Sequence, residues 1–126
     1  MAKILVAEDE ADIRELVAFS LENIAGFEVV KARNGAEAVD MARAEVPDLI
    51  LMDVRMPKMT GVEACAKLKE IPETEDIPIV FLSAMGQETE IQQGMEVGAV
   101  EYILKPFAPD VLMKKVRDIL ERLNKL

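Results

Sequence analysis

Short apolar runs alternate along the chain with longer stretches in which apolar residues recur at helical spacing. Several of the runs are apolar at successive positions rather than at alternate ones, a pattern typical of parallel strands covered on both faces. The runs predict strands at Lys3–Ala7, Phe27–Lys31, Leu49–Asp53, Ile79–Leu82 and Tyr102–Leu104. The pattern therefore predicts a parallel sheet buried between two layers of helices.

The stretches between the runs are about 10–16 residues long and predict helices. One apolar face of the first helix is marked by Ile13, Leu16, Val17, Leu21 and Ile24. The last helix is expected to run to Leu126 and is amphipathic, with an apolar stripe made of Val111, Leu112, Val116, Ile119, Leu120 and Leu123. Five β–α units in strict alternation predict an α/β fold, a doubly wound five-stranded parallel sheet with five helices.

Composition narrows the class of protein. The chain of 126 residues fits one domain, residues 1–126. It has 15 Lys and Arg against 24 Asp and Glu, and the net charge of −9 argues against direct binding to nucleic acid or to an anionic membrane. The single cysteine, Cys65, is expected to be a buried apolar group in a reducing cytoplasm. With no histidine and one cysteine, a typical zinc site is excluded.

Polar residues stand where four of the predicted strands end. Glu8 and Asp9 follow the first strand, and Asp53, Ser83 and Lys105 end the third, fourth and fifth. Singly, each of these residue types is common there as a helix cap, a turn residue or a solvated side chain. Ligands of doubly wound sheets bind beyond the carboxyl ends of the strands. The coincidence of all five residues at that edge predicts a functional site.

Three carboxylates at one edge require positive charge nearby. Two carboxylates about 4 Å apart repel each other by roughly 4 kcal/mol at an effective dielectric constant near 20. Lys105 supplies one positive charge, and a divalent ion would supply two more. Oxygen ligands select Mg²⁺ or Mn²⁺ over softer metals, and Mg²⁺ commonly bridges to a phosphate. The sequence predicts a metal site that a phosphoryl group completes.

Four motifs, in their order and spacing, resemble the receiver domain of two-component response regulators: ILVAEDEADIR, PDLILMDVRMPKMTG, IPIVFLSA and YILKPF. The resemblance covers essentially the whole chain and extends to the single-domain regulators of chemotaxis. It implies a flavodoxin-like sheet with strand order 2-1-3-4-5. It also implies a phosphorylation-dependent signalling switch rather than an enzyme that turns over a separate substrate. The phosphoryl donor would be a sensor histidine kinase or a phosphotransfer protein.

The resemblance implies a role for each acidic residue at the strand ends. Asp53 corresponds to the phosphoacceptor, whose carboxylate attacks the phosphorus of a phosphohistidine. Asp9 corresponds to a direct ligand of Mg²⁺, and Glu8 to a ligand that reaches the ion directly or through water. Asp53 and the backbone carbonyl of Arg55 complete the protein's share of the metal site. Glu8 stands where many members have Asp.

The remaining motif residues correspond to the phosphoryl-binding and switch positions. Ser83 and Lys105 would each contact a phosphoryl oxygen, and the bond from Lys105 to Pro106 would be a cis peptide. Gly61 matches a glycine where the backbone needs room. Ser83 and Tyr102 would together couple Asp53 to the surface formed by the fourth helix, the fifth strand and the fifth helix.

Two further positions, at which the residue type is a variation on the receiver motif, flank the reactive carboxyl group. Arg55 lies two residues beyond Asp53, and Met85 lies two residues beyond Ser83. Both are expected to influence how fast water hydrolyses the phosphoryl group.

Two other classes of protein use related features. A phosphatase of the haloacid dehalogenase type also combines an aspartate nucleophile with Mg²⁺, Lys and Ser or Thr, but it typically needs a second acid where this chain has Arg55, which stays charged. A flavin-binding module on the same fold would need its first loop to bind phosphate. The acidic run Glu8-Asp9-Glu10 would repel that phosphate.

The output of the switch is expected at the surface of the fourth helix, fifth strand and fifth helix. Ile91 and Val111 stand where members that dimerise through this face for DNA binding tend to place charged residues. A monomer, or a weak phosphorylation-dependent dimer, that docks an unknown downstream protein through a partly apolar patch is therefore expected. The charged residues of this surface are Glu88, Glu90 and Glu96 on the fourth helix and Lys114, Lys115 and Arg117 on the fifth. No DNA-binding segment follows the last helix, so the chain is either a complete single-domain regulator or part of a longer one.

Overall fold

The computed structural model describes residues 2–84 and 86–125, so Met1, Met85 and Leu126 lie outside the described residues. Five strands are formed: β1 (Lys3–Ala7), β2 (Glu28–Ala32), β3 (Leu49–Asp53), β4 (Ile79–Ala84) and β5 (Glu101–Lys105). The helices are α1 (Ala11–Asn23), α2 (Gly35–Glu45), α3 (Gly61–Glu70), α4 (Glu88–Glu96) and α5 (Pro109–Arg122). All neighbouring strands pair in parallel, in the order β2-β1-β3-β4-β5. The predicted doubly wound fold and its strand order are confirmed.

The strand boundaries differ from the predicted ones by one or two residues. β2 lies one residue later than the predicted Phe27–Lys31, β4 continues to Ala84, and β5 runs from Glu101 to Lys105. Backbone pairing explains the extensions, since Val80 lies opposite Glu101 and Ala84 lies opposite Lys105. Ladder hydrogen bonds form between main chains, so a strand can continue past its last apolar side chain.

The last helix ends at Arg122, short of the predicted end at Leu126. Asn124 has a left-handed conformation with φ of 59°. The N–H of Lys125 donates to the carbonyl oxygen of Leu120 at 2.8 Å. These are the features of a Schellman-type helix end, which apolar periodicity does not reveal.

The core consists of two apolar clusters, one on each face of the sheet. Helices α1 and α5 cover one face, and α2, α3 and α4 cover the other. The central strand β3 is buried along its whole length. The predicted burial of Cys65 is confirmed, and this burial raises the pKa of its thiol to about 11. None of the helices in residues 2–84 and 86–125 combines the length and apolar character needed to cross a lipid bilayer.

Three residues assigned to the apolar faces of helices are exposed: Leu16 by 48%, Ile24 by 59% and Val111 by 47%. Val111 was also expected in the partly apolar docking patch, which its exposure allows. Helix α1 instead turns Val17 and Leu21 towards the sheet. Leu16 lies about 100° around the helix from Val17 and so falls at the edge of the buried face. Ile24 follows the last helical residue, and Val111 lies in the first turn of α5, beside the buried face.

Two glycines allow helices to approach the sheet closely. The N–H of Gly61 donates to the carbonyl oxygen of Val54 at 2.8 Å, and a Cβ at position 61 would overlap the carbonyl oxygen of Asp53. This agrees with the predicted need for room at Gly61. In α4, a Cβ at Gly94 would overlap the ring of Phe81 on β4. Each helix therefore lies where it does because the glycine has no side chain.

Candidate functional site

The polar residues predicted to share one edge of the sheet do converge there. Glu8 and Asp9 follow β1, Asp53 ends β3, Ser83 lies near the end of β4 and Lys105 ends β5. Carboxylate oxygens of Glu8, Asp9 and Asp53 lie within 4.8 Å of one another. Glu8 and Asp53 are buried, whereas Asp9 is exposed to solvent. The edge therefore has a buried acidic floor with one open side.

Lys105 joins the two buried carboxylates. Its Nζ lies 3.1 Å from Oε1 of Glu8 and 3.1 Å from Oδ2 of Asp53, and all three side chains are at most 16% exposed. The three ionisable groups come from the ends of β1, β3 and β5, so the sheet itself fixes their positions. Water is largely excluded, and ion pairs and repulsion are both stronger here than at the surface.

Backbone groups hold the second oxygen of each buried carboxylate. The N–H of Glu10 donates to Oε2 of Glu8 at 3.2 Å, and the N–H of Arg55 donates to Oδ1 of Asp53 at 3.3 Å. The guanidinium of Arg14 donates to the carbonyl oxygen of Glu8 at 2.9 Å. Arg14 was not among the predicted site residues, although it ends the first motif, because the sequence does not show which backbone group a flexible arginine near the start of a helix will contact.

The electrostatics show that the site is short of positive charge. Burial, followed by the hydrogen bond and charge of Asp53, raises the pKa of Glu8 to about 8. Burial alone would lower the pKa of Lys105, but the carboxylates of Asp53 and Glu8 outweigh it and the pKa is raised. The lysine stays charged, while the buried glutamic acid holds its proton more strongly than usual.

The donor set fits a hard divalent cation. Glu8, Asp9 and Asp53 offer only oxygen ligands, and such ligands suit Mg²⁺ or Mn²⁺. The three acidic groups outnumber the single ammonium of Lys105, and the remaining negative charge would attract such a cation. A group of three acids with one exposed member also leaves ligand positions open for water or a further oxygen ligand.

Ser83 is fully buried, and its hydroxyl is occupied within the protein. Oγ of Ser83 donates to Oε1 of Gln87 at 2.8 Å, and the N–H of Ala84 donates to the same oxygen at 2.8 Å. Sequence reasoning missed Gln87. Its position just before a helix, four residues after Ser83, was the one available signal, since polar residues are common there as caps.

Two further predicted residues point away from the acidic floor. The side chain of Arg55 is 61% exposed and pairs with Glu90 on α4, with its Nε 3.0 Å from Oε1 of Glu90. The ring of Tyr102 is 40% exposed on β5. The peptide bond from Lys105 to Pro106 is cis.

The chain matches a protein-family model described as the response regulator receiver domain, over residues 4–117. Curated relatives are similar over nearly the whole chain. The phosphate regulon transcriptional regulatory protein PhoB of Pseudomonas aeruginosa is 44% identical over 94% of the chain and 52% of its own length. The probable transcriptional regulator ycf27 of Porphyra purpurea is 41% identical over 98% of the chain and 49% of its own length. The chain thus spans about half the length of these curated relatives.

Solved structures match the fold along its whole length. The chemotaxis protein CheY4 of Vibrio cholerae superposes with a TM-score of 0.88 at 36% identity, over 95% of this chain and 99% of that one. The receiver domain of a signal transduction histidine kinase from Syntrophus aciditrophicus gives a TM-score of 0.88 at 32% identity, over 100% of this chain and 95% of that one.

Proposed function

Because the chain belongs to the response regulator receiver domain family, we propose that residues 1–126 form one receiver domain that switches its surface when Asp53 is phosphorylated. The observation that carries this proposal is the buried contact of Asp53 with Lys105, beside Glu8 and Asp9. A carboxylate held at a strand end between an ammonium and a candidate metal site is suited to attack a phosphoryl group and to bear the added charge.

The donor of the proposed reaction is a phosphohistidine of a sensor histidine kinase or a phosphotransfer protein. An oxygen of Asp53 attacks phosphorus and forms an O–P bond, while the N–P bond breaks and its electron pair stays on the imidazole nitrogen. The product is an acyl phosphate. Dephosphorylation ends the signal. A water molecule attacks the same phosphorus, and the O–P bond to Asp53 breaks to release inorganic phosphate and the carboxylate.

The residues around Asp53 have different roles in the proposed transfer. Glu8, Asp9, Asp53 and the carbonyl oxygen of Arg55 would hold Mg²⁺, or Mn²⁺ in its place, and the bound ion would neutralise charge on the phosphoryl oxygens. Lys105 already lies 3.1 Å from Asp53 and supplies the second positive charge. A serine hydroxyl at position 83 provides a hydrogen-bond donor for one phosphoryl oxygen.

The proposed output surface combines α4, β5 and α5. Apolar side chains are exposed there at Met95, Val100, Tyr102, Leu104 and Val111. Ile91, which was expected to contribute to this patch, is buried because it lies on the sheet-facing side of α4. We propose that a downstream protein docks on this partly apolar surface, with the charged residues of α4 and α5 around it.

A phosphorylation assay tests the proposed acceptor. Wild-type protein with Mg²⁺ and acetyl phosphate should gain about 80 Da, the mass expected for one transferred phosphoryl group. Asp53→Asn should gain nothing, because an amide oxygen is a poor nucleophile, while Asp118→Asn on the exposed side of α5 should label like wild type. Intact-mass spectrometry measures all three. Equal labelling of Asp53→Asn and wild type would refute the assignment.

The same preparation separates the switch from a phosphatase. A receiver domain should not turn over an aryl phosphate, whereas a phosphatase of the haloacid dehalogenase type should. The structure supports the switch here, since the side chain of Arg55 is exposed and paired with Glu90 and offers no acid to protonate a leaving group. Sustained release of the phenolate, lost in Asp53→Asn, would instead support the phosphatase.

A further inference from the structure

Two hydrogen-bond donors at the end of β4 converge on a single oxygen atom. The hydroxyl of Ser83 and the N–H of Ala84 both donate to Oε1 of Gln87 at 2.8 Å. Ser83 is fully buried, and both donors belong to the strand that neighbours Asp53 in the sheet. The carboxamide oxygen of Gln87 thus fills an acceptor position defined by one side-chain donor and one backbone donor of β4.

That acceptor position has the chemistry of a phosphoryl-oxygen site. A phosphoryl oxygen bears negative charge and forms stronger hydrogen bonds than a neutral amide oxygen, so it can replace one that accepts the same donors. We propose that Gln87 is a positioning residue that holds Ser83 and Ala84 in the unphosphorylated protein and is displaced when the phosphoryl group on Asp53 takes over these donors. The inference rests on the proposed function, because it needs a phosphoryl group at Asp53.

Displacement of Gln87 acts on α4, because Gln87 is the residue that immediately precedes this helix. Gln87 makes no side-chain hydrogen bond to its own helix, so its carboxamide ties α4 to β4 instead of capping α4. A second tie joins the first turn of α4 to the neighbourhood of Asp53 through the pair of Glu90 and Arg55. Both ties reach from the N-terminal end of α4 to residues close to Asp53 in the chain or in the sheet.

Helix α4 is the element that can respond to such a change. It has nine residues, buries only Ile91 and Gly94 among them, and contains a glycine, which weakens a helix relative to alanine. Segments with few buried apolar contacts open at low free-energy cost. Loss of the contact of Gln87 should therefore loosen α4 more than the helices that bury more apolar side chains in the core.

The test uses beryllofluoride with Mg²⁺ as the phosphoryl probe on the full chain. Gln87→Ala removes the competing acceptor and should bind beryllofluoride about fivefold to tenfold more tightly than wild type. Gln87→Glu keeps an acceptor, strengthens it with charge and repels the probe, so it should bind more weakly than wild type. Gln92→Ala, on the exposed side of α4, removes a glutamine of the same size and should bind like wild type.

A second readout needs no phosphoryl probe. In protein without Mg²⁺ or beryllofluoride, Gln87→Ala should increase hydrogen exchange of the Ala84 amide and of the amides in α4, and its α4 resonances should move towards the beryllofluoride-bound positions of wild type. Gln92→Ala should leave the Ala84 amide unchanged. A purely structural role would lower affinity for the probe in Gln87→Ala instead of raising it.

The outcomes separate the two proposals. If wild type binds beryllofluoride and Gln87→Ala binds it equally or more weakly, the role of Gln87 is overturned and the switch stands. If wild type neither binds beryllofluoride nor is labelled on Asp53, the proposed function fails, and the role of Gln87 fails with it. Tighter binding in Gln87→Ala together with weaker binding in Gln87→Glu supports the displacement.

Discussion

At the scale of single residues, Glu8 is expected to make the stability of the protein depend on pH near neutrality. Burial and the neighbouring Asp53 raise its pKa to about 8 in the folded chain, against 4.5 for an ordinary glutamic acid. Between these two values the folded state holds a proton that the unfolded state has released. Stability contributed by this proton is present below about pH 4.5 and is lost as the pH rises towards the folded pKa.

We expect the free energy of unfolding of the metal-free protein to fall between pH 5.5 and pH 7.5, by at most about 1.4 kcal/mol per pH unit for one proton. The chain has no histidine, and ordinary carboxylic acids have already ionised in this range, so Glu8 is expected to dominate the change in stability. Urea unfolding at several pH values in the presence of a chelator measures the slope.

Glu8→Gln is the matched variant for this experiment, because the amide has the same size and does not titrate. Its stability should change little across the window. Glu63→Gln is a useful control, since hydrogen bonds from Thr60 lower the pKa of Glu63 and its contribution is lost only as the pH falls. A wild-type stability that stays level or rises between pH 5.5 and pH 7.5 would contradict the raised pKa.

At the scale of elements, α4 depends on a close contact with the sheet. A Cβ at position 94 would overlap the ring of Phe81, so Gly94→Ala must either move the ring or push the helix outwards. Alanine gains about 1 kcal/mol in helix propensity, but overpacking a tight contact costs about 1–3 kcal/mol. We expect Gly94→Ala to lower the free energy of unfolding, as measured in urea.

The control for this prediction is a second substitution. Phe81→Leu makes room for the new methyl group, so the double variant should lose less stability than the sum of the two single variants. Additive losses would show that Gly94→Ala acts elsewhere than at Phe81.

The elements that sequence predicts best here are those with strong apolar patterns. The run Leu49–Asp53 became the fully buried β3, and the convergence of Glu8, Asp53 and Lys105 followed from the rule that the carboxyl ends of parallel strands share an edge. These features depend on the main chain. The end of α5 at Arg122 was missed because it depends on the backbone conformation of Asn124.

The contacts of Gln87 and Arg55 escaped prediction for another physical reason. Both side chains are long and flexible, and their partners depend on the rotamers that the folded structure allows. Gln87 reaches back to Ser83, and Arg55 reaches across to Glu90, 35 positions later in the chain. The apolar pattern specifies neither contact.

At the scale of the whole molecule, the acidic floor and the proposed output surface lie on connected parts of the sheet. The register of β4 and β5 places Tyr102 opposite Phe81 and Leu104 opposite Ser83, so these four side chains lie on the side of the sheet on which α4 packs. A change at Ser83 can therefore reach Tyr102 and α4 through direct neighbours. A phosphoryl group on Asp53 can shift the equilibrium between the inactive and active conformations only through contacts that differ between these two conformations.

We expect beryllofluoride with Mg²⁺ to change NMR shifts in α4, β5 and the first turn of α5, as well as in the loops around Asp53. Ser83→Ala should reduce the changes in α4 and at Tyr102, because it removes one of the donors that link the acceptor to this face. Thr74→Ala is a control for general destabilisation. It removes a buried hydroxyl that donates to the carbonyl oxygen of Leu68, away from the carboxyl ends of the strands. Shifts confined to the loops around Asp53 would contradict the proposed output surface.

The ion pairs of Lys105 also have a kinetic consequence. They close chain segments of 97 residues to Glu8 and 52 residues to Asp53. Contacts between residues so far apart in sequence are costly to form early, so the acidic floor should assemble after the rate-limiting step of folding. Interactions absent from the transition state change the unfolding rate rather than the folding rate. Magnesium should therefore slow unfolding in stopped-flow experiments and leave the folding rate nearly unchanged, so the ion would lengthen the lifetime of the folded chain without helping it to form.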